Sequence, residues 1–321
     1  MPTTARLRKL LLIFVGATVA LMALSYWWCG LTELPLDDQA RTKAPGKFLG
    51  LPDGKVHYRW DGPADGPVVA MVHGFSLPSC NWDHNVPALT AAGFHVLSFD
   101  NYGRGWSDRP EHNNDIDLFD RELLGTLDAL GLKEPIRLVG VSMGSAISTV
   151  FVARHPERVS QLVLIAPVGE PTPQPLAVRI VRWPVLGDWV MRVLGKWATE
   201  KNALGLVDTP ELKAGVLSCI EQSLAYRGGT DSLLSTLRYY PLGGLAQVYE
   251  DAGKAKIPTL LLWGDADTTA PYDGAAKVLA AMPSARLVTF NGGGHGINKT
   301  VANKVNALII NFFTAWSSDG R

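Results

Sequence analysis

Ser142 lies in the pentapeptide Gly140-Val141-Ser142-Met143-Gly144, between the apolar run 136–139 and a stretch of small, helix-compatible residues, 145–152. A strand that turns sharply into a helix holds such a serine in a strained conformation, with its hydroxyl raised above the sheet edge. Glycines two before and two after it let strand and helix pack closely underneath. The N-terminus of the following helix points backbone N–H groups, that of Met143 first, at negative charge forming near Ser142. A serine hydroxyl is a weak nucleophile near neutral pH and needs a base within hydrogen-bond reach. Of the seven histidines, His295 stands in Asn291-Gly292-Gly293-Gly294-His295-Gly296, between an expected strand and the final helix, where glycines leave the imidazole unobstructed. His57, His84, His95, His112 and His155 fall in strand, helix or surface contexts and read as structural; His73 reads as a loop-packing residue. The base in turn needs a carboxylate to fix its tautomer and stabilise the imidazolium. The apolar run 260–263 ends in Gly264-Asp265-Ala266-Asp267. Either aspartate suits a turn or a helix cap; Asp267 is favoured as the acid and Asp265 as the turn former. A second oxyanion donor is expected from the backbone N–H of Phe75, in His73-Gly74-Phe75-Ser76 after the apolar run 68–72.

These groups must be carried by strand ends. Residues 55–60 alternate as a strand expected to pair antiparallel at one edge, and 61–67 form a turn. Further strands are expected at 68–72, 94–99, 136–139, 162–165, 259–263 and 286–290. Helical spacing occupies 77–92, 119–130 (closed by Gly131), 272–282 and 301–316. Strands alternating with helices imply βαβ units and a doubly wound, mostly parallel α/β sheet. The alternation fails between residues 168 and 247. There a proline-rich exit, 170–175, leads into some seventy residues of helical patterning, read as a cap over the C-terminal edge of the sheet. The expected organisation is an N-terminal segment 1–32, a polar linker 33–46, a first core part 47–167, the cap 168–247 and a second core part 248–321.

Taken together, the His73-Gly74-Phe75 turn, the 100–107 loop Asp-Asn-Tyr-Gly-Arg-Gly-Trp-Ser, the Ser142 pentapeptide, Trp263-Gly264-Asp265-Ala266-Asp267 and Gly294-His295-Gly296 resemble, in content and order, the α/β-hydrolase fold family in its serine-nucleophile, esterase- or lipase-like branch. The resemblance covers residues from about 47 to 316. It implies a triad of Ser142, Asp267 and His295, and it supports Asp267 over Asp265, because the last aspartate of that turn is the family's usual acid. Two positions depart from the pattern: Arg104 stands where a histidine is common, and Ser145 where many relatives have a glycine. The serine nucleophile argues against haloalkane dehalogenases and epoxide hydrolases, which use an aspartate.

Thirty basic residues balance thirty acidic ones, and outside the N-terminus there is no cationic block, which argues against nucleic acid as a partner. Cys29, Cys80 and Cys219 are scattered without metal spacing, so neither a metal site nor a disulfide framework is expected. Arg6, Arg8 and Lys9 precede an uncharged apolar run, 10–32, that ends near Tyr26-Trp27-Trp28. That run is long enough to span a bilayer as a helix, with the N-terminus cytoplasmic, the aromatic trio at the far interface and the rest exported. The alternative is a signal peptide cleaved near Ala23-Leu24-Ser25, leaving a secreted or periplasmic protein. Trp27 and Trp28 exclude a lipoprotein at Cys29, where small residues must precede the cysteine.

The cap segment 179–199 interleaves Trp183, Trp189 and Trp197 and many aliphatic residues with Arg179, Arg182, Arg192 and Lys196. It reads either as an interfacial helix or as the wall of an acyl pocket, the second being favoured, and both point to an apolar substrate. The expected activity is hydrolysis of lipid-like or medium-chain carboxylic esters without metal or cofactor. Carbon–carbon bond hydrolases, haloperoxidase-like enzymes and acyltransferases use the same framework. A binding module without activity is disfavoured, since all three triad residue types are present.

Overall fold

A computed structural model describes residues 2–170 and 175–315. The N-terminal segment forms one long helix, α1 (Pro2–Thr32), in which Arg6–Thr32 is long and apolar enough to cross a membrane. The linker after it contains a single helical turn, α2 (Asp38–Arg41), capped by the Asp37 carboxylate, which accepts from Ala40 N at 2.8 Å.

The sheet has eight strands: β1 (Lys47–Leu51), β2 (Gly54–Asp61), β3 (Val68–Val72), β4 (His95–Phe99), β5 (Ile136–Val141), β6 (Val159–Ile165), β7 (Thr259–Gly264) and β8 (Ala285–Phe290). Their order is β1-β2-β4-β3-β5-β6-β7-β8. Only the β1–β2 and β2–β4 pairs are antiparallel, so the sheet is the doubly wound, mostly parallel one expected. Central strands carry helices on both faces and therefore read as unbroken apolar runs; Val69–Val72, Leu162–Ile165 and Leu260–Leu262 are all at most 2% exposed. One expectation needs correction. The alternating 55–60 strand is not at the edge, because Lys47–Leu51 pairs outside it, Leu49 opposite Val56. That short strand carries a glycine, Gly50, next to its last residue and shows no clear alternation.

Core helices are α3 (Val86–Ala91), α4 (Ile116–Ala129) and α5 (Met143–Arg154) before the cap. The helical spacing over 77–92 resolves into a 3-10 turn at Ser79–Trp82 and α3, because Asn85 breaks the run with long-range bonds. Its amide donates to Asn298 O at 3.1 Å and to Asn306 Oδ1 at 2.6 Å. Helix α4 begins earlier than the apolar spacing indicated, since Asp115 caps it by accepting from Leu118 N at 3.0 Å. Gly131, with φ +74°, follows its end.

After β6 the chain forms α6 (Leu176–Val181), α7 (Leu186–Leu204), α8 (Pro210–Leu224) and α9 (Gly229–Tyr239), then returns to the core through α10 (Ala246–Lys254). Residues 171–174 of the proline-rich exit lie outside the described residues. These helices enclose a second small core around Met191, Val216, Ile220, Leu233 and Leu234. The chain ends in α11 (Gly274–Ala281), α12 (Ile297–Thr300) and α13 (Ala302–Ala315); Trp316, placed at the end of the last helix from its spacing, is outside the described residues.

The cysteines also need correction. Cys80, in the 3-10 turn, is disulfide-bonded to Cys219 on α8, with Cα atoms 6.4 Å apart. A separation of 139 residues hides the pair from any spacing argument, and only the insertion of the cap brings it together. Backbone bonds Leu34 N to Ala225 O (2.9 Å) and Arg227 N to Leu34 O (2.8 Å) fasten the linker to the cap.

A buried ion pair stabilises the strand ends below the site. The Asp100 carboxylate accepts from His57 Nδ1 and Ser79 N, both at 2.8 Å, and from Trp106 N at 2.9 Å. Burial disfavours both charges. The mutual attraction outweighs it, holding Asp100 below the usual carboxylate range and raising His57. A raised histidine contributes its full stability below an unfolded value of about 6.5 and loses it as pH rises through the folded value. A depressed aspartate contributes fully above about 3.9 and loses it as pH falls. The pair is therefore worth most between these limits. Asp100→Asn is predicted to cost roughly 3 kcal/mol near pH 6 and clearly less near pH 9, read by urea denaturation at both; equal losses contradict the ion pair.

Candidate active site

Ser142 occupies the one-residue turn between β5 and α5 with φ +55° and ψ −120°, a region that residues with side chains avoid. The flanking glycines explain how the turn closes. A Cβ on Gly140 would collide with the backbone of Gly144, and a Cβ on Gly144 with the carbonyl of Val72 on β3. The turn is tied to β6 because Ser142 N donates to Ile165 O at 2.8 Å. Ser145, one of the departures from the family pattern, strengthens this tie. Its hydroxyl donates to Ile165 O and accepts from Ile165 N, both at 3.1 Å.

The His73–Phe75 loop lies directly against Ser142, where a Cβ on Gly74 would stand 3.4 Å from the Ser142 Cβ. His73 is fully buried; Nδ1 donates to Gly74 O at 2.8 Å and Nε2 accepts from Asn101 N at 2.8 Å. Burial pushes its pKa down to about 4, which keeps the ring neutral. The second departure, Arg104, is buried. It donates to Phe75 O (3.0 Å), Tyr102 O (3.1 Å) and Thr236 Oγ1 on α9 (2.8 Å), with its guanidinium over the Phe75 ring at 5.5 Å. An arginine here fastens the loop carrying Phe75 to the cap, a role one shorter side chain could not fill.

Across the cavity, β7 ends in the turn bearing Asp267 and β8 in the loop bearing His295. Asp267 Oδ2 accepts from His295 Nδ1 at 2.7 Å, and Oδ1 accepts from Thr269 N (2.8 Å) and Ala270 N (2.9 Å). Both side chains are buried. Asp265 is exposed and accepts from Gly292 N at 2.6 Å, bracing the histidine loop as a turn residue would. Of the glycines around His295, Gly293 and Gly296 serve close packing, whereas Gly292 and Gly294 face open space. Gly293 presses on the backbone at Gly264, and a Cβ on Gly296 would meet the carbonyl of Leu206 in the cap.

Ser142, Met143, Phe75 and His295 line one cavity of about 820 Å³ at the C-terminal ends of the strands, with Asp267 behind His295. Helix α5 begins at Met143, so its N–H is one of the first-turn amides without an intrahelical acceptor. The walls are mainly apolar, drawn from the cap (Val178, Val181, Met191, Val207) and from Leu242 and Trp263. Sequence reasoning missed a buried polar part of the lining. Asn81, Asn298 and Lys299 also line the cavity, and Lys299 donates to Cys80 O at 3.3 Å while burial lowers its pKa to about 8. A lysine four residues past a loop histidine carries no signal of its own in a sequence. Among the described residues, no group of three or more His, Cys, Asp or Glu is arranged to hold a metal ion.

The model of the α/β hydrolase fold matches residues 67–300, and the protein belongs to that family. It is an enzyme of the hydrolase class. A 2-hydroxy-6-oxononadienedioate/2-hydroxy-6-oxononatrienedioate hydrolase of Cupriavidus pinatubonensis is 29% identical over 292 residues, covering 85% of this chain and 97% of the relative. The enol-lactonase of Burkholderia xenovorans superposes with a TM-score of 0.72 at 22% identity, over 84% of this chain and 100% of its own. A thermophilic esterase of Thermogutta terrifontis gives 0.72 at 20% identity, over 85% and 99%. At these identities the two structures establish the fold.

Asp267→Asn replaces an all-acceptor carboxylate, surrounded by three donors, with a group that is half donor. Turnover is expected to fall by on the order of 10⁴-fold, with thermal melting showing a far smaller change in folding; activity within tenfold of wild type contradicts the assignment.

Proposed function

We propose that the protein is a serine hydrolase that cleaves carboxylic esters of lipid-like or medium chain length, held at a membrane by α1 with its catalytic domain on the exported side. The observation that carries this reading is that Ser142, Met143, Phe75 and His295 line one large cavity together with the apolar cap residues Val178, Val181, Met191 and Val207. An acyl chain fits such walls, and its ester carbonyl then lies at Ser142.

In the proposed mechanism the Ser142 hydroxyl attacks the ester carbonyl while His295 Nε2 takes its proton. Asp267, bonded to Nδ1, fixes the tautomer and stabilises the imidazolium. Negative charge on the carbonyl oxygen is met by the N–H groups of Phe75 and Met143. His295 then protonates the departing alcohol, and water, activated by the same ring, releases the acid from Ser142. No metal or cofactor takes part in these steps.

The membrane reading is supported by the uncharged span of α1 behind Arg6, Arg8 and Lys9. The Cys80–Cys219 disulfide is at home in an oxidising, exported compartment, as it would also be after cleavage of a signal peptide. A second reading, carbon–carbon bond hydrolysis, is favoured by the dienedioate hydrolase among the relatives, and buried Lys299 in the cavity lining suits an acidic substrate.

Three measurements test these readings. A fluorophosphonate probe is expected to label the wild type and not Ser142→Ala; undiminished labelling of the variant removes Ser142 as nucleophile. Nitrophenyl esters of graded chain length are expected to be turned over best at medium length, and no turnover at any length shifts the conclusion to the carbon–carbon reading. Alkaline carbonate should leave the chain in the membrane pellet, whereas release into the supernatant contradicts the anchor.

A further inference from the structure

The anchor helix and the cap are in direct contact. Trp189 Nε1 on α7 donates to Ser25 Oγ at 2.9 Å. Arg192, one turn further, donates to Glu33 Oε2 at 2.8 Å and places its guanidinium 5.0 Å from the Tyr26 ring centre. Ser25 precedes the end of α1 by about two turns, or roughly 10 Å along its axis. A cap side chain bonded there lies at the level of Tyr26-Trp27-Trp28, inside the apolar span and not above it.

Next to Trp189 is the turn joining α6 to α7, Trp183-Pro184-Val185. Trp183 is 60% exposed and Val185 77% exposed. Val185 also has φ +66°, a conformation that costs a β-branched residue about 1–3 kcal/mol. Glycine or asparagine would hold this turn at less cost if only its shape mattered. The turn is nevertheless braced: Val185 N donates to Asp188 Oδ2 (2.8 Å), while Arg238 donates to Asp188 Oδ1 (2.7 Å) and to Trp183 O (3.0 Å). Leu176 on α6 and Leu194 and Trp197 on α7 are exposed as well, as are Arg179 on α6, Arg182 in the turn and Lys196 on α7. The other faces of the same helices, through Val178, Val181 and Met191, line the catalytic cavity.

We propose that the α6–α7 turn and the outer faces of these helices dock into the headgroup layer of the membrane crossed by α1, and that the apolar substrate passes from the lipid into the cavity beside them. Trp183 and Val185 insert at the level set by the Trp189–Ser25 bond, and the three cations meet anionic phospholipid headgroups. A lipid-borne ester then reaches Ser142 across the thickness of one helix, without crossing water. The inference rests on the membrane-anchored esterase reading and names where its substrate comes from.

The test uses the full chain in vesicles of phosphatidylcholine and phosphatidylglycerol. In Trp183→Ser/Val185→Asn, where asparagine suits the left-handed turn, turnover of a long-chain ester dissolved in the bilayer is expected to fall by roughly tenfold or more. Turnover of a water-soluble short-chain nitrophenyl ester is expected to stay unchanged. Independently, a bimane attached to Val185→Cys in a Cys29→Ser background is expected to be quenched by brominated lipid and shielded from iodide. Equal effects on both esters, or a bimane quenched by iodide and not by brominated lipid, overturn the proposal. Wild type released by carbonate sinks the anchor instead. Lipid quenching of the bimane without turnover of any ester leaves the docking intact and removes the esterase reading.

Discussion

Strand β5 and helix α5 approach so closely beneath Ser142 that only hydrogen atoms fit between their backbones, and the site depends on that contact. Gly140 faces Gly144, Gly144 faces the Val72 carbonyl, and the residue between them is forced into a left-handed turn. Such a turn costs on the order of 1–3 kcal/mol, and it persists because β3, β5 and β6, buried on both faces, leave it nowhere to relax. Ser145 adds a local lock by satisfying both the N–H and the C=O of Ile165 at the strand end. The sheet interior thus fixes the position of a single hydroxyl.

The opposite side of the cavity uses the same device in a second pair of strands. Gly264 at the end of β7 and Gly293 after β8 are in backbone contact, and Asp265 bridges the two turns through Gly292. Asp267 and His295 consequently meet with no need for a long side chain to span a gap. The cap closes onto both halves, through Arg104 to the Phe75 loop and through Leu206 against Gly296. Cap and core are therefore in contact on both sides of the cavity.

Much of this was legible in the sequence where one local cause dominates. Central strands read as apolar runs because both faces are covered, and the site motifs read clearly because each is a strand end followed by a turn with its own residue chemistry. What escaped depends on distant partners. β1 exists because β2 offers it an edge, and its own residues, interrupted by Gly50, announce little. The 77–92 segment breaks where Asn85 is claimed by Asn298 and Asn306, more than two hundred positions away. His57 looked like an ordinary strand histidine, yet it holds Asp100 in a buried ion pair. The polar linker is bonded to the cap through Leu34, a contact that nothing in its own residues signals. Arg104 and Ser145 stood out only as departures, and their partners gave them meaning.

The cystine between Cys80 and Cys219 has a consequence for the life history of the chain. It closes a loop of 139 residues that contains Ser142 but neither Asp267 nor His295. Closing a loop of that size removes about 5 kcal/mol of unfolded-chain entropy in the simplest treatment, comparable with the whole net stability of many domains. That contribution is absent in a reducing cytosol and arrives only where thiols oxidise. If the chain is exported as proposed, the covalent fastening of the cap to the turn beside the serine is timed by translocation, so the loop around Ser142 tightens only after the chain has left the cytosol.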